Sequence, residues 1–455
     1  AEQNNCVLEP DKGLLVEVAG LTEYPQPMMG TINAEFMRLP KPVLSTSMRV
    51  HQKYFTFVDA SGNIAPYFGF AANTVPTDGG KDMLRGYERV LRARLSDAAF
   101  FYDQDCGIAL ETLVPKLDKI IFHAKLGTLG QRIQRFNALV DSPEAKRAAL
   151  LCKADLVSFM VGEFPELQGI MGAVYARAQG ESQGISQAIE THYQPVGAND
   201  SCPGNPVAIE LALADKIDVL VGFFGIGEAP TGSKDPFALR RAALGIIRII
   251  RENNLKEYNL RAKLEAAQML YQGQGVIFIK DFQIDQVVEF IIERLSHALR
   301  SEGIRHDCIA AVIEADQMDE NICSLADRAS SLNQFLESES GVSLQAAFRR
   351  AQGILTKSDI DLSGHELIAG KLTELAEKNL LSHLERLSSQ APVLLQSGKY
   401  LDLMQLLSGL RPVVDDFFTL KINDDEESTR LNRFALLQQL VNQTLKVADF
   451  SKLEG

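Results

Sequence analysis

The stretch GEAPTGSKDPFALRRAALGIIRII, residues 227–250, decides how the chain is read. Gly227 and Gly232 have the separation found in phosphate-binding loops, but Ser233-Lys234 follows in the wrong order. Such a loop needs Lys first, to reach the outer phosphates, and then a hydroxyl for magnesium. Asp235-Pro236 instead predicts a helix start, with Asp as the N-cap and Pro at the first helical position, where its missing N–H does no harm. The helix is expected to run to about Glu252. At about 100° per residue, Leu239, Ala242, Ala243, Ile246, Ile247, Ile249 and Ile250 share one broad side. Arg240, Arg241, Arg248 and Arg251 share the other, within a sector of roughly 100°. Four guanidinium groups with only Glu252 nearby suit either a phosphate backbone or the carboxylates of a neighbouring helix.

Helical periodicity extends outward from this stretch. It predicts helices over 81–105, 112–138, 142–159, 169–179, 205–223, 285–301 and 306–316, and a second all-helical unit over 324–455. Residues 1–80 read as β, from GLLVEVAGL (13–21), PVLSTSM (42–48) and KYFTFVDASGNIAPYFGFAANT (53–74). The fold class is therefore mainly α and multidomain, with a short β-rich N-terminal module.

With 455 residues, 46% of them hydrophobic, the chain has room for about three domains. Its net charge of −13 excludes a surface that attracts nucleic acid everywhere, but not a local basic face. Two further basic stretches qualify: Lys81, Arg85, Arg89, Arg92 and Arg94, mostly at helical i, i+3 and i+4 steps, and Arg349-Arg350 followed by Lys357. The sequence has no apolar run near the roughly 20 residues that span a bilayer, and its opening lacks a basic, then apolar, leader. Six scattered cysteines without a C-x-x-C pair fit reduced thiols, so a cytoplasmic setting is expected. The opening reads as the middle of a β-rich module, which predicts that an N-terminal region is missing.

Enzyme signatures are sparse. H-E-x-x-H and G-x-G-x-x-G do not occur, and no nucleophile elbow is expected. His306-Asp307 reads as a helix start rather than a metal dyad. Glu163 and Glu166 read as caps or partners of basic groups rather than a general acid and base.

The run ADKIDVLVGFFGIGEAPTGSKDPFALRRAALGIIRII (214–250) resembles the most characteristic stretch of bacterial glycyl-tRNA synthetase β subunits. YERVLRARLSDAAFFYDQD (87–105), FHAKLGTLGQRIQR (122–135) and ADLVSFMVGEFPELQGIMG (154–172) agree in the same order. The resemblance implies an α2β2 glycine–tRNA ligase of the cytoplasm. Its α subunit would hold the active site for glycine, ATP and Mg, and the β subunit would bind tRNA(Gly) and be required for aminoacylation. This chain would then have no catalytic residue and no cofactor of its own, and its partners would be the α subunit and tRNA(Gly), with no DNA and no membrane.

Two narrower resemblances divide the chain. The middle is similar to HD-domain phosphohydrolases, with His123 and Asp215 at the first and last ligand positions. Ala149-Leu150-Leu151-Cys152-Lys153 stands where those enzymes have a His-Asp pair. A Lys there would repel a divalent cation, so no metal is expected. The C-terminal part is similar to the helical anticodon-binding domain of arginyl-type synthetases, through LQAAFRRAQGIL (344–355), LRPVVDDFFTLKIN (410–423) and RLNRFALL (430–437). The expected domains are an editing-like remnant over 1–80, an HD-like helical domain over 81–275, linking helices over 276–320 and an anticodon-binding-like bundle over 321–455. Candidate tRNA-binding residues are Lys234, Arg240, Arg241, Arg248, Arg251, Arg349, Arg350, Arg430, Asn432 and Arg433. Against this, Arg430 and Arg433 have Asp415, Asp416 and the acidic run 424–427 as alternative partners. The rival readings are a metal-dependent HD phosphohydrolase and a scaffold that binds the α subunit but no RNA.

Overall fold

A computed structural model describes residues 4–315, 320–358, 367–445 and 448–454. The chain is mainly helical, with a small β module at its N-terminal end. It divides into two compact units: Ala1–Glu228 with Ala266–Lys280, and Ala229–Glu265 with Asp281–Gly455. That division runs through the 81–275 stretch expected as one domain and puts the arginine helix in the second unit.

The first unit opens with a four-stranded antiparallel sheet in the spatial order Val7–Leu8, Phe55–Val58, Ile64–Ala72, Gln26–Thr31. Stacked rings form its core, Tyr54 on Phe68 at 4.7 Å and Phe70 on Tyr87 at 4.1 Å. Tyr87 belongs to the long helix Lys81–Cys106, so these rings anchor that helix to the sheet. Gly30 pairs with Phe68 across the strands, and a Cβ at Gly30 would lie 2.4 Å from the ring. Two stretches read as strands are helices. GLLVEVAGL lies within the helix Lys12–Leu21, whose Asp11 cap accepts the Leu14 N–H at 2.8 Å. PVLSTSM falls in the helix Lys41–Thr46, with Pro42 in its first turn, and the π turn Ser47–His51 that follows. Local start signals and burial of Leu14 and Val18 one turn apart outweigh the β preference of Val and Thr.

The helix expected over 112–138 is broken. Val114-Pro115 opens a 3-10 turn, a hairpin of Ile121–His123 and Gly127–Thr128 follows, and a capping box of Thr128 and Gln131 starts the helix Leu129–Leu139. The helix expected over 142–159 stops at Leu151. At the centre of the unit lies Pro206–Gly225, a 20-residue helix buried on nearly every side. Among the described residues no helix is long and apolar enough to cross a membrane. The Tyr271 hydroxyl donates to the Asp218 carbonyl at 3.0 Å, and a Cβ at Gly222 would meet that hydroxyl at 2.3 Å.

The second unit is helical. The helix Leu239–Glu252 buries Leu239, Ala243, Ile246, Ile247, Ile249 and Ile250, the side its periodicity predicts. The C-terminal bundle is built from Ile322–Leu336, Glu339–Lys357, Leu375–Gln396, Tyr400–Ser408, Arg411–Phe417 and Glu427–Leu445.

Candidate nucleic-acid interface

The turn at residues 227–240 closes on itself. Thr231 and Lys234 exchange backbone hydrogen bonds at 3.2 and 2.9 Å, and Arg240 donates to the Gly232 carbonyl at 2.5 Å. Ala238 adopts a left-handed conformation, so the helix begins at Leu239 rather than at Pro236. The Asp235 carboxylate still caps it, accepting the N–H groups of Leu239 and Arg240 at 2.8 and 3.0 Å. This is a capped turn, and its internal bonds occupy much of what a phosphate cradle would need.

The four arginines separate in role. Arg251 grips Glu302 with two bonds of 2.6 and 2.8 Å, and Arg248 pairs with Glu252 one turn on at 2.8 Å. Arg240 is spent on the turn. Arg241 and Lys234 are exposed. The carboxylate alternative left open by the sequence therefore accounts for Arg248 and Arg251.

Around Lys153 and Asp215 the first unit has a buried ionic cluster. Asp215 receives Lys153 and Arg132, each at 3.2 Å. The Lys153 ammonium also donates to His192 Nε2 at 2.8 Å and lies 3.7 Å from the Tyr193 ring centre. Burial alone would raise the Asp215 carboxyl, but Lys153 and Arg132 override it and hold the group well below the carboxylate range. Burial, reinforced by Lys153, holds His192 well below its ordinary value, so it is neutral, with Nδ1–H donating to the Ile189 carbonyl at 2.7 Å. Asp218, three residues on, binds Arg132 at 3.2 Å and Arg135 at 2.5 Å. His123 sits in the hairpin with its ring 5.3 Å from Phe223. Among the described residues no group of three His, Cys, Asp or Glu side chains is placed to hold a metal.

Two other motifs resolve as structure. GESQG, residues 180–184, spells the nucleophile elbow that the sequence was expected to lack, yet Ser182 only caps the helix Gln183–Thr191 and donates to Glu144 at 2.7 Å. Glu163 faces Arg94 at 3.6 Å.

Asp155 gives a pH prediction. One of its oxygens accepts Gly169 and Gly172 N–H groups at 2.6 and 3.0 Å, the other has no partner, and burial pushes the carboxyl up to about 6. The folded state thus holds this proton more tightly than the unfolded chain does. The stability it contributes is complete below about pH 4 and is lost as pH rises through about 6. Urea midpoints of wild type should fall relative to Asp155→Asn across that window and run parallel above it; parallel curves throughout would refute the assignment.

In the C-terminal bundle, Arg349, Arg350, Gly353, Ile354, Lys357, Ser358, Asn423 and Phe434 line an open groove of about 700 Å³. Arg350 lies 4.3 Å over the Phe418 ring centre, and Arg349 donates to the Leu453 carbonyl. Arg350, Lys357 and Asn423 are exposed. Two sequence candidates are corrected. Asn432 is buried and holds the Ile368 backbone at 2.8 and 3.1 Å, while Arg433 is buried against Glu377 at 2.6 Å and Asp424 at 2.8 Å. Their polar atoms are committed inside the bundle. Arg430 donates to the Asp424 carbonyl at 3.3 Å, which binds it to the acidic run rather than to Asp415 or Asp416. Of the groove's lining, Lys357 was legible as part of the basic stretch after Arg349-Arg350, whereas Asn423 was not singled out in the sequence. Lys357 lies two turns beyond Arg350 on the same helical side, a signal the sequence does contain.

A family model described as "Glycyl-tRNA synthetase beta subunit" matches residues 1–314, and one described as "DALR anticodon binding domain" matches residues 344–453. The chain is 44% identical to the "Glycine--tRNA ligase beta subunit" of Rhodospirillum centenum, over all of this chain and 65% of that protein. It is 43% identical to that of Phenylobacterium zucineum, over 99% of this chain and 66% of the relative, and 40% identical to that of Cereibacter sphaeroides, over 98% and 66%. The chain thus spans slightly less than two thirds of the length of these curated relatives. A match across so much of the sequence, on a helical fold with a C-terminal anticodon-domain segment, shows that the chain belongs to the glycyl-tRNA synthetase beta subunit family.

Proposed function

We propose that this chain recognises and positions tRNA(Gly) within an α2β2 glycine–tRNA ligase of the cytoplasm. In this reading the α subunit holds glycine, ATP and magnesium, and this chain contributes grip and register without catalytic residues of its own. The observation that carries it is the groove of Arg349, Arg350, Lys357 and Asn423, which falls in the segment similar to anticodon-binding domains. Single-stranded RNA loops are read by stacking and base-edge hydrogen bonds while basic groups hold the backbone. Arg350 over Phe418 offers a planar cation, Asn423 a donor and acceptor, and Lys357 a point charge. Fixing the anticodon end orients the rest of the tRNA, so that its acceptor end meets the α subunit's active site. Arg241 and Lys234 stand as further cations for the RNA backbone.

In the complete protein, Arg350→Glu with Lys357→Glu should weaken tRNA binding about 10- to 100-fold and flatten its log–log salt dependence by about 1–2. Glycylation should then require more tRNA. Wild-type affinity and charging in a folded double variant would refute the groove's role.

A further inference from the structure

Lys81, Arg85, Arg89 and Arg92 follow one another along the helix Lys81–Cys106 at steps of four, four and three residues. They therefore share one face, with rises of about 6, 6 and 4.5 Å. All four are exposed. Arg85 meets Asp82 at 3.3 Å, but both side chains are more than three-quarters exposed, so water competes with the pair. Among the described residues the other three have no carboxylate partner. The neighbouring acids are mostly occupied. Glu88 accepts the Thr31 N–H and hydroxyl at 2.9 and 2.7 Å, and Asp103 is held by Arg38 at 2.6 and 2.7 Å. Asp97 is exposed and lies off this face.

The same face then carries an aromatic group. Phe100, about 12 Å beyond Arg92 along the helix axis, is 59% exposed. Its ring lies 5.9 Å from Phe101, which stacks at 6.5 Å on Phe159, itself 53% exposed. A cationic track leading to open aromatic rings is the combination that grips unpaired nucleic acid, with charge following the backbone and rings stacking bases.

We propose that this face is a second RNA-binding surface, in which Lys81, Arg85, Arg89 and Arg92 track phosphates and Phe100 stacks an unpaired base. It belongs to the first unit and shares no residue with the groove of the C-terminal bundle. The identity of the polymer rests on the tRNA reading above.

The test uses the complete protein, a tRNA(Gly) transcript and a short oligouridylate. Arg85→Glu/Arg89→Glu/Arg92→Glu changes only exposed side chains and should leave melting unchanged. It should weaken tRNA binding about tenfold or more and lower the salt slope by about 2, for three lost phosphate contacts. Phe100→Ala should weaken binding about fivefold or more with no change in slope. Both variants should weaken oligouridylate binding. Wild-type affinity and slope in the triple variant overturn the proposal. If the triple variant binds normally while Arg350→Glu/Lys357→Glu does not, only this surface is refuted. If both bind normally, the tRNA reading falls as well.

Discussion

Replacing Asp218 with alanine is expected to destabilise the first unit by about 3–5 kcal/mol, the range for removing one partner from a buried ion pair. Asp218 has no solvent exposure and is the carboxylate that Arg132 and Arg135 share, with bonds of 3.2 and 2.5 Å. Alanine would leave Arg135, also without exposure, holding only the Gln274 side chain at 2.6 Å and the Tyr271 ring at 3.9 Å. Neither neutralises a guanidinium in a dry interior. Arg132 retains Asp215 at 3.2 Å, so the penalty falls mainly on Arg135. Because the chain has two compact units, the loss should appear as an earlier transition of one unit rather than a uniform shift. Urea and thermal melts measure it, with Glu190→Ala as control. That residue's partner is the half-exposed Arg177, and such pairs contribute about 1 kcal/mol or less. A loss from Asp218→Ala no larger than the control's would mean that Arg135 finds other solvation.

This cluster also shows what the sequence could and could not convey. Cys152-Lys153, where the resemblance to HD enzymes implies a His-Asp pair, is plain in the sequence. What Lys153 does instead depends on His192 and Tyr193, some forty residues on, which no local pattern connects to it. The same limit applies to the arginine helix. Its apolar side was legible because a period of 3.6 leaves one solution for burial. The fate of Arg251 was not, since Glu302 is 51 residues away. Long helices such as Lys81–Cys106 and Ile284–Ser301 declare themselves by sustained periodicity. Short elements do not: in GLLVEVAGL the alternation of a strand and the Leu14–Val18 spacing of a helix coexist, and Asp11 decides between them.

Arg433→Met should produce the other large effect, and it separates a residue that shapes a binding groove from one that lines it. The Arg433 guanidinium binds Glu377 at 2.6 Å, Asp424 at 2.8 Å and the Lys421 carbonyl at 2.9 Å. Glu377 in turn accepts the N–H groups of Thr373 and Glu374 at 2.9 and 3.1 Å, capping the helix Leu375–Gln396. Methionine fills similar space but leaves Glu377 buried without its cation, so stability should fall by about 3–5 kcal/mol. The segment 421–424 loses both its bonds to Arg433, keeping the Arg430 bond to the Asp424 carbonyl, and it contains Asn423, which lines the groove. Binding of tRNA should therefore weaken through a misplaced Asn423, although Arg433 itself is buried. The salt dependence should keep its wild-type slope, because no phosphate contact is removed. The Arg350→Glu/Lys357→Glu variant should show the opposite pattern, with normal melting and a flatter slope. If Arg433→Met instead flattened the slope and left melting unchanged, the buried position would be wrong for the tRNA-bound protein, and Arg433 would be a phosphate ligand as its sequence context first suggested.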